Sequence, residues 1–111
     1  MLVQIVQASI RPEERGRWLK VISQNAARTR TEEGCESYHV SEDLEAPNTF
    51  YIVELWADME AVHRHFRAKF VELMAALDGV FTIPPEATFY TVTSTSKLGD
   101  ILAAAGIAFP R

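Results

Sequence analysis

Three histidines (His39, His63 and His65), one cysteine (Cys35) and a glutamate set among aromatics (Glu54) are the side chains of this sequence best suited to chemistry. His65 is the first candidate for a base or an anion donor, because imidazole titrates near neutrality. It sits one step around a helix from Val62, Phe66 and Lys69, at the edge of an apolar stripe. A boundary histidine that packs its ring and bonds to water fits that position equally well. His63 lies about 200° from His65 on such a helix, so the His-x-His pair cannot clamp one metal ion and His63 faces solvent. With His39 on a strand and a lone cysteine, no zinc constellation forms. Glu54 alternates with Ile52 and Trp56, which places a carboxylate on an apolar face. Burial would raise its pKa and make it a base; a salt bridge across a dimer sheet is the other reading. Asn25 interrupts an apolar helical stripe and needs a partner, either a ligand or a neighbouring backbone group. Trp56 and Tyr38 are strand aromatics, able to pack in a core or to stack on a flat ligand. His39 shares a face with Cys35 and Ser37, where it would line a pocket or a dimer seam. Cys35 reads as a small packed hydrophobe, since nothing near it lowers a thiol pKa.

These residues need elements to hold them. Residues 2–10 alternate as a strand. Arg11-Pro12-Glu13-Glu14 opens a helix with proline and acids where a first turn favours them. Its stripe is Trp18, Leu19, Ile22, Ala26 and Thr29, and it stops at Gly34. Residues 35–43 form a second strand, with Cys35, Ser37, His39 and Ser41 on one side and Glu36, Tyr38, Val40 and Glu42 on the other. After the turn Glu45-Ala46-Pro47-Asn48, residues 49–56 are aromatic and β-branched on both faces, which marks a central strand. Asp58 caps a second helix with the stripe Val62, Phe66, Phe70, Leu73 and Leu77, ended near Asp78-Gly79. Pro84-Pro85 blocks continuation, and residues 87–93 form a last strand. Leu98, Ile101, Leu102 and Ala105 recur at helical spacing in a tail.

The order β-α-β-β-α-β predicts an α+β, ferredoxin-like domain over residues 1–95: one antiparallel sheet with both helices on one face, plus a C-terminal helical tail over 96–111. Two helices leave the other sheet face uncovered, yet the strands are apolar on both sides. The expectation is a homodimer, a dimeric α+β barrel, with the tail as a second contact at the dimer. The chain carries 11 basic and 15 acidic residues, and neither half is basic, which argues against nucleic acid and anionic membrane as partners. The N-terminus lacks the basic and apolar regions of a signal peptide, and no run of residues is long and apolar enough to span a bilayer. With one unpaired cysteine, the expected compartment is the cytoplasm.

Several of these segments resemble the antibiotic biosynthesis monooxygenase domains, including quinol monooxygenases. The matching pieces are Glu32-Glu33-Gly34-Cys35-Glu36-Ser37-Tyr38 at the opening of the second strand, Pro47-Asn48 before the third, Glu54-Leu55-Trp56 at its end, and Glu60-Ala61-Val62-His63-Arg64-His65 on the second helix. The likeness covers about residues 1–94. The chain departs from the family pattern after the helix histidine: Phe66-Arg67-Ala68-Lys69-Phe70 is one residue short and lacks a second histidine. The iron-binding histidine of the haem-degrading branch is also missing, with Met74 in its neighbourhood.

The resemblance implies oxygenation of a quinol-like or polyphenolic substrate by O2 without flavin, haem or metal. Such chemistry needs an apolar slot, a proton acceptor and donors for the resulting anion. His65 is the implied catalytic residue, and Trp56, Tyr38, Asn25, His39 and Glu54 the substrate-binding set, with Tyr38 able to hydrogen-bond a phenolate. No glycine-rich dinucleotide fingerprint occurs, so no nicotinamide or Rossmann-type flavin site is expected. Two alternatives use the same residues: a non-oxidative isomerase of a small carbonyl or lactone metabolite, and a dimeric ligand-binding module with no turnover.

Overall fold

A computed structural model describes residues 1–109. Strand β1 (Leu2–Ser9) leads through a 3-10 turn (Pro12–Glu14) into helix α1 (Arg15–Thr29). Strands β2 (Cys35–Glu42) and β3 (Thr49–Trp56) follow as a hairpin, then helix α2 (Met59–Ala76), strand β4 (Glu86–Thr91) and helix α3 (Leu98–Ala104). The sheet order is β2-β3-β1-β4 with every pair antiparallel, the ferredoxin-like α+β arrangement expected from the element order. Among the described residues, no helix is long and apolar enough to cross a membrane.

Strand alternation decides which side chains meet the helices. Leu2, Gln4 and Ala8 of β1, Phe50, Ile52, Glu54 and Trp56 of β3, and Tyr38 of β2 are all buried on the helix side. From α1, Trp18, Ile22, Asn25, Ala26 and Thr29 descend onto this face; from α2, Ala61 and Val62 do so. Helix α2 starts where the sequence signals it, because the Asp58 side chain accepts a hydrogen bond from Ala61 N at 2.9 Å. The opposite face, with Val3, Ile5, Tyr51, Val53, Leu55 and Tyr90, carries no helix among the described residues. Val53 and Tyr90 are exposed there and the other four half-buried.

Two local readings need correction. Cys35 does not share a face with Ser37 and His39: a bulge between Cys35 and Ser37 puts Cys35 opposite Trp56, on the helix side. The extra residue, Glu36, absorbs the phase of the alternation. Helix α1 also ends at Thr29 rather than running on to Gly34, and residues 30–34 turn back toward β2.

Gly34 is what allows that turn to dock. Its φ is +87°, and a Cβ built there would lie 2.5 Å from the Cβ of Ala61 on α2. The loop therefore touches the first turn of α2 with backbone alone. Gly34→Ala is expected to lower folding stability by about 2–4 kcal/mol, from left-handed strain plus overpacking. Urea unfolding of the pure variant checks this.

Candidate functional site

Between the sheet and the two helices lies a cavity of about 320 Å³. Its walls are mostly apolar: Ile22 from α1, Ile52 from β3, Phe66, Phe70 and Leu73 from α2, and Phe89 from β4. Phe70 and Phe89 line it yet stay partly open to solvent, so the cavity reaches the surface between α2 and β4. The size suits a single small aromatic molecule.

The polar groups gather toward β1 and β3. His65 of α2 lines the cavity and packs against Trp56, with ring centroids 4.7 Å apart and the ring planes tilted by 40°. Its Nδ1 lies 2.7 Å from Glu32 Oε2, and its Nε2 lies 3.9 Å from Glu54 Oε1. Only 12% of the His65 side chain is exposed, against 21% of Glu32 and 3% of Glu54. The imidazole thus stands between a carboxylate near solvent and a carboxylate in the interior. Glu54 accepts a hydrogen bond from Trp56 Nε1 at 3.2 Å. Burial pushes the Glu54 carboxyl up to about 7; the Trp56 bond opposes this and the Glu32 charge adds to it.

A second polar cluster joins α1 to β2. Asn25 Nδ2 donates to the Tyr38 hydroxyl oxygen at 2.9 Å, and Asn25 Oδ1 accepts from Arg28 Nη2 at 2.7 Å. Arg28 therefore fixes the amide so that its NH₂ meets Tyr38. Because the Tyr38 oxygen is already an acceptor, its own proton is available to donate. Burial, and then the charge of Glu54, hold the Tyr38 pKa above its ordinary value, so the phenol stays protonated and acts as a donor. Two further lining residues carry buried polar atoms without a partner, Gln4 Oε1 and Trp18 Nε1. An unpaired polar atom in such a place costs stability unless a ligand or water answers it.

The Glu54 shift has a definite sign in stability. The carboxyl titrates near 4.5 when unfolded and at about 7 when folded, so its contribution is full below pH 4.5 and is lost as pH rises through 7. At about 1.4 kcal/mol per pH unit, the loss is on the order of 3 kcal/mol. Glu54→Gln is therefore expected to remove this slope: compared with wild type, the variant loses less stability between pH 5 and pH 8. Urea unfolding at the two pH values measures it. Glu42, held down to about 2 chiefly by its hydrogen bond from Arg15, titrates outside this window.

Of the residues singled out from sequence, the cavity brings together His65, Glu54, Tyr38 and Asn25. Trp56 does not line the cavity: it is completely buried, donating to Glu54 and packing against His65. His39 is paired with Val53 and projects from the opposite, helix-free face, because its register parity differs from that of Tyr38. It does not line the cavity. His63 is exposed, as the helical angle required. Cys35 sits near the carboxylates, where burial first and then the charges of Glu54 and Glu32 push its thiol pKa up, the wrong direction for a nucleophile. Gln4, Trp18 and Glu32 are additions. A glutamine among Leu2, Val6 and Ala8 on the buried side of β1 was a visible signal for Gln4. For Glu32, only three-dimensional proximity to His65 reveals a role.

A family model described as antibiotic biosynthesis monooxygenase matches residues 1–76. A solved structure of a candidate antibiotic biosynthesis monooxygenase from Deinococcus radiodurans is 28% identical, covers 88% of this chain and 98% of its own, and superposes with a TM-score of 0.82. The Rv0793 structure from Mycobacterium tuberculosis shares the fold at 20% identity, with 86% and 98% coverage and a TM-score of 0.79. The uncharacterized protein sll1783 of Synechocystis is 26% identical over 90 residues. That match takes in 80% of this chain but spans 61% of the length of the cyanobacterial protein.

Proposed function

Because the chain belongs to the antibiotic biosynthesis monooxygenase family, we propose that it oxygenates a small hydroquinone or polyphenol with O2, drawing the electrons from the substrate and using no flavin, haem or metal. The observation that carries this reading is the pairing, in one apolar cavity, of the braced imidazole of His65 with the neutral donor Tyr38. In this scheme His65 Nε2 takes a phenol proton and becomes imidazolium between Glu32 and Glu54. Tyr38, oriented by Asn25, donates to the phenolate oxygen. Gln4 Oε1 accepts from a second hydroxyl. The phenolate is electron-rich and sits against apolar walls, a setting that lets it reduce O2 without competing water. One oxygen atom joins the ring, and the other leaves as water with the returned protons. The ring supplies four electrons and ends as a hydroxylated quinone, so the balance closes without a co-reductant.

An oxygen electrode tests the reading directly. Pure protein with a panel of hydroquinones and no added cofactor should consume O2 above the buffer rate and form quinone. No uptake with any member rejects it. Proton exchange into a carbonyl metabolite from deuterated water, indifferent to removal of O2, points instead to an isomerase. Tight aromatic binding without turnover points to a binding module.

The same reading includes a homodimer closed sheet to sheet. The helix-free face, with exposed Val53 and Tyr90, supports it. So does the tail: α3 and the residues after it expose Leu98, Ile101, Ile107 and Phe109. A radius of gyration of 16.7 Å, against about 13 Å for a compact domain of this length, reflects an extended form. Light scattering at micromolar concentration should return twice the mass of one chain. Val53→Arg, placing a charge in the seam, should return a single chain.

A further inference from the structure

We propose that Glu32, in the loop between α1 and β2, is a positioning residue: it accepts the Nδ1 proton of His65 and fixes the neutral imidazole as the tautomer whose Nε2 lone pair faces Glu54 and the cavity. The catalytic consequence rests on the reading of His65 as base; the tautomer assignment does not.

The contact is short, 2.7 Å between Nδ1 and Oε2. Two atoms at that distance cannot both lack a proton, since both would then present lone pairs. A proton belongs between them, and on a neutral imidazole facing a carboxylate it resides on Nδ1. The other nitrogen is left as the acceptor. On that side Glu54 Oε1 is 3.9 Å away, too far for a hydrogen bond and close enough to stabilise the imidazolium once it forms. Glu32 therefore selects the tautomer. The ring is flanked by Trp56, tilted by 40° with centroids 4.7 Å apart, and by Phe66 in an edge arrangement at 5.4 Å.

Backbone hydrogen bonds of the α1–β2 loop deliver Glu32 to this place. Glu32 N donates to Thr29 O at 3.0 Å, and Cys35 N donates to Glu32 O at 3.1 Å, so the loop is a closed turn. Ala57 N donates to Gly34 O at 2.8 Å, tying the turn to the segment that enters α2. Gly34 lets the loop approach Ala61, which lies one helical turn before His65. The residues that dock the loop are thus neighbours of the residue it orients.

Nitrogen-15 NMR of the full chain, labelled at histidine and assigned with His65→Ala, reads the tautomer without any substrate. Recorded at a pH high enough to leave the ring neutral, wild type is expected to carry the His65 proton on Nδ1. In Glu32→Ala the proton should redistribute toward Nε2, whereas Glu32→Gln, whose carbonyl still accepts, should restore part of the Nδ1–H population. A wild-type His65 protonated at Nε2, or an unchanged tautomer in Glu32→Ala, overturns the proposal. If the alanine variant does not fold, the wild-type spectrum alone decides. With an oxidisable quinol in hand, Glu32→Ala should lower kcat at least about tenfold with little change in KM. An unchanged kcat sinks the role of Glu32 while leaving His65 as base. Conversely, a chain that consumes no O2 with any quinol defeats the functional reading and leaves the tautomer result standing.

Discussion

Replacing His65 by alanine is expected to lower kcat/KM for a hydroquinone by about 10²–10⁴-fold, the usual contribution of a positioned proton-transfer group. Glu54, Tyr38 and Cys35, the ionisable groups gathered near it, are poor substitutes. The Glu54 carboxyl also titrates near 7, but it is deeply buried and accepts the Trp56 N–H, which makes it a poorer partner for a substrate proton. Tyr38 is held protonated, and the Cys35 thiol pKa is raised. The fold should survive, since His65 lies at the border of the interior and contributes one tilted ring contact to Trp56. His65→Asn is the informative companion, because it keeps a polar side chain near Glu32 without a group that titrates near neutrality. Oxygen uptake with the two variants, alongside circular dichroism to confirm the fold, separates lost chemistry from lost structure. Activity within a few-fold of wild type in both variants would remove His65 from the mechanism.

Trp56→Ala should be the most destabilising of the single substitutions considered, costing about 3–5 kcal/mol. The indole has no exposed surface and anchors the cluster of Leu2, Ala61 and Val62. Its removal leaves a void in the layer that joins β1 and β3 to α2. It also takes away the hydrogen bond to Glu54 and the ring beneath His65. Trp56→Phe divides these effects: the ring persists and the donor does not. Glu54 then loses a bond that opposes its upward shift, so the phenylalanine variant should carry a still higher Glu54 pKa and a stability loss that continues to higher pH. Urea titrations from pH 5 to pH 9 measure both quantities. A pH profile of stability that does not move in Trp56→Phe would show that the indole N–H has no hold on the carboxylate.

The fold was open to reading because each element carried its own local signature. The period-two runs of β1 and β3, the Asp58 cap and the Pro84-Pro85 break are properties of neighbouring residues, and they marked boundaries to within a few positions. His65, Asn25 and Glu54 were legible for a related reason: each is polar within or beside an apolar stripe of its own element, whereas Tyr38 stood out as an aromatic on a mostly polar strand. Residues whose roles depend on register or on distant loops were harder to see. The bulge at Glu36 inverted the face assigned to Cys35, and a one-residue slip reverses every such assignment before it. It did not change His39, whose parity relative to Tyr38 always placed it on the opposite side; what alternation along one strand cannot tell is which side holds the cavity. Glu32 stands 33 positions from His65, and only the docking of the Gly34 loop on α2 makes them neighbours.

Mass spectrometry of the product formed under ¹⁸O₂ tests the central claim most directly. If the cavity deprotonates a quinol so that its ring reduces O2, the product should be a quinone bearing a single labelled oxygen, with the second label in water. An unlabelled quinone with an equivalent of labelled hydrogen peroxide would mean simple two-electron oxidation. Unchanged quinol and untouched O2 would contradict the account altogether.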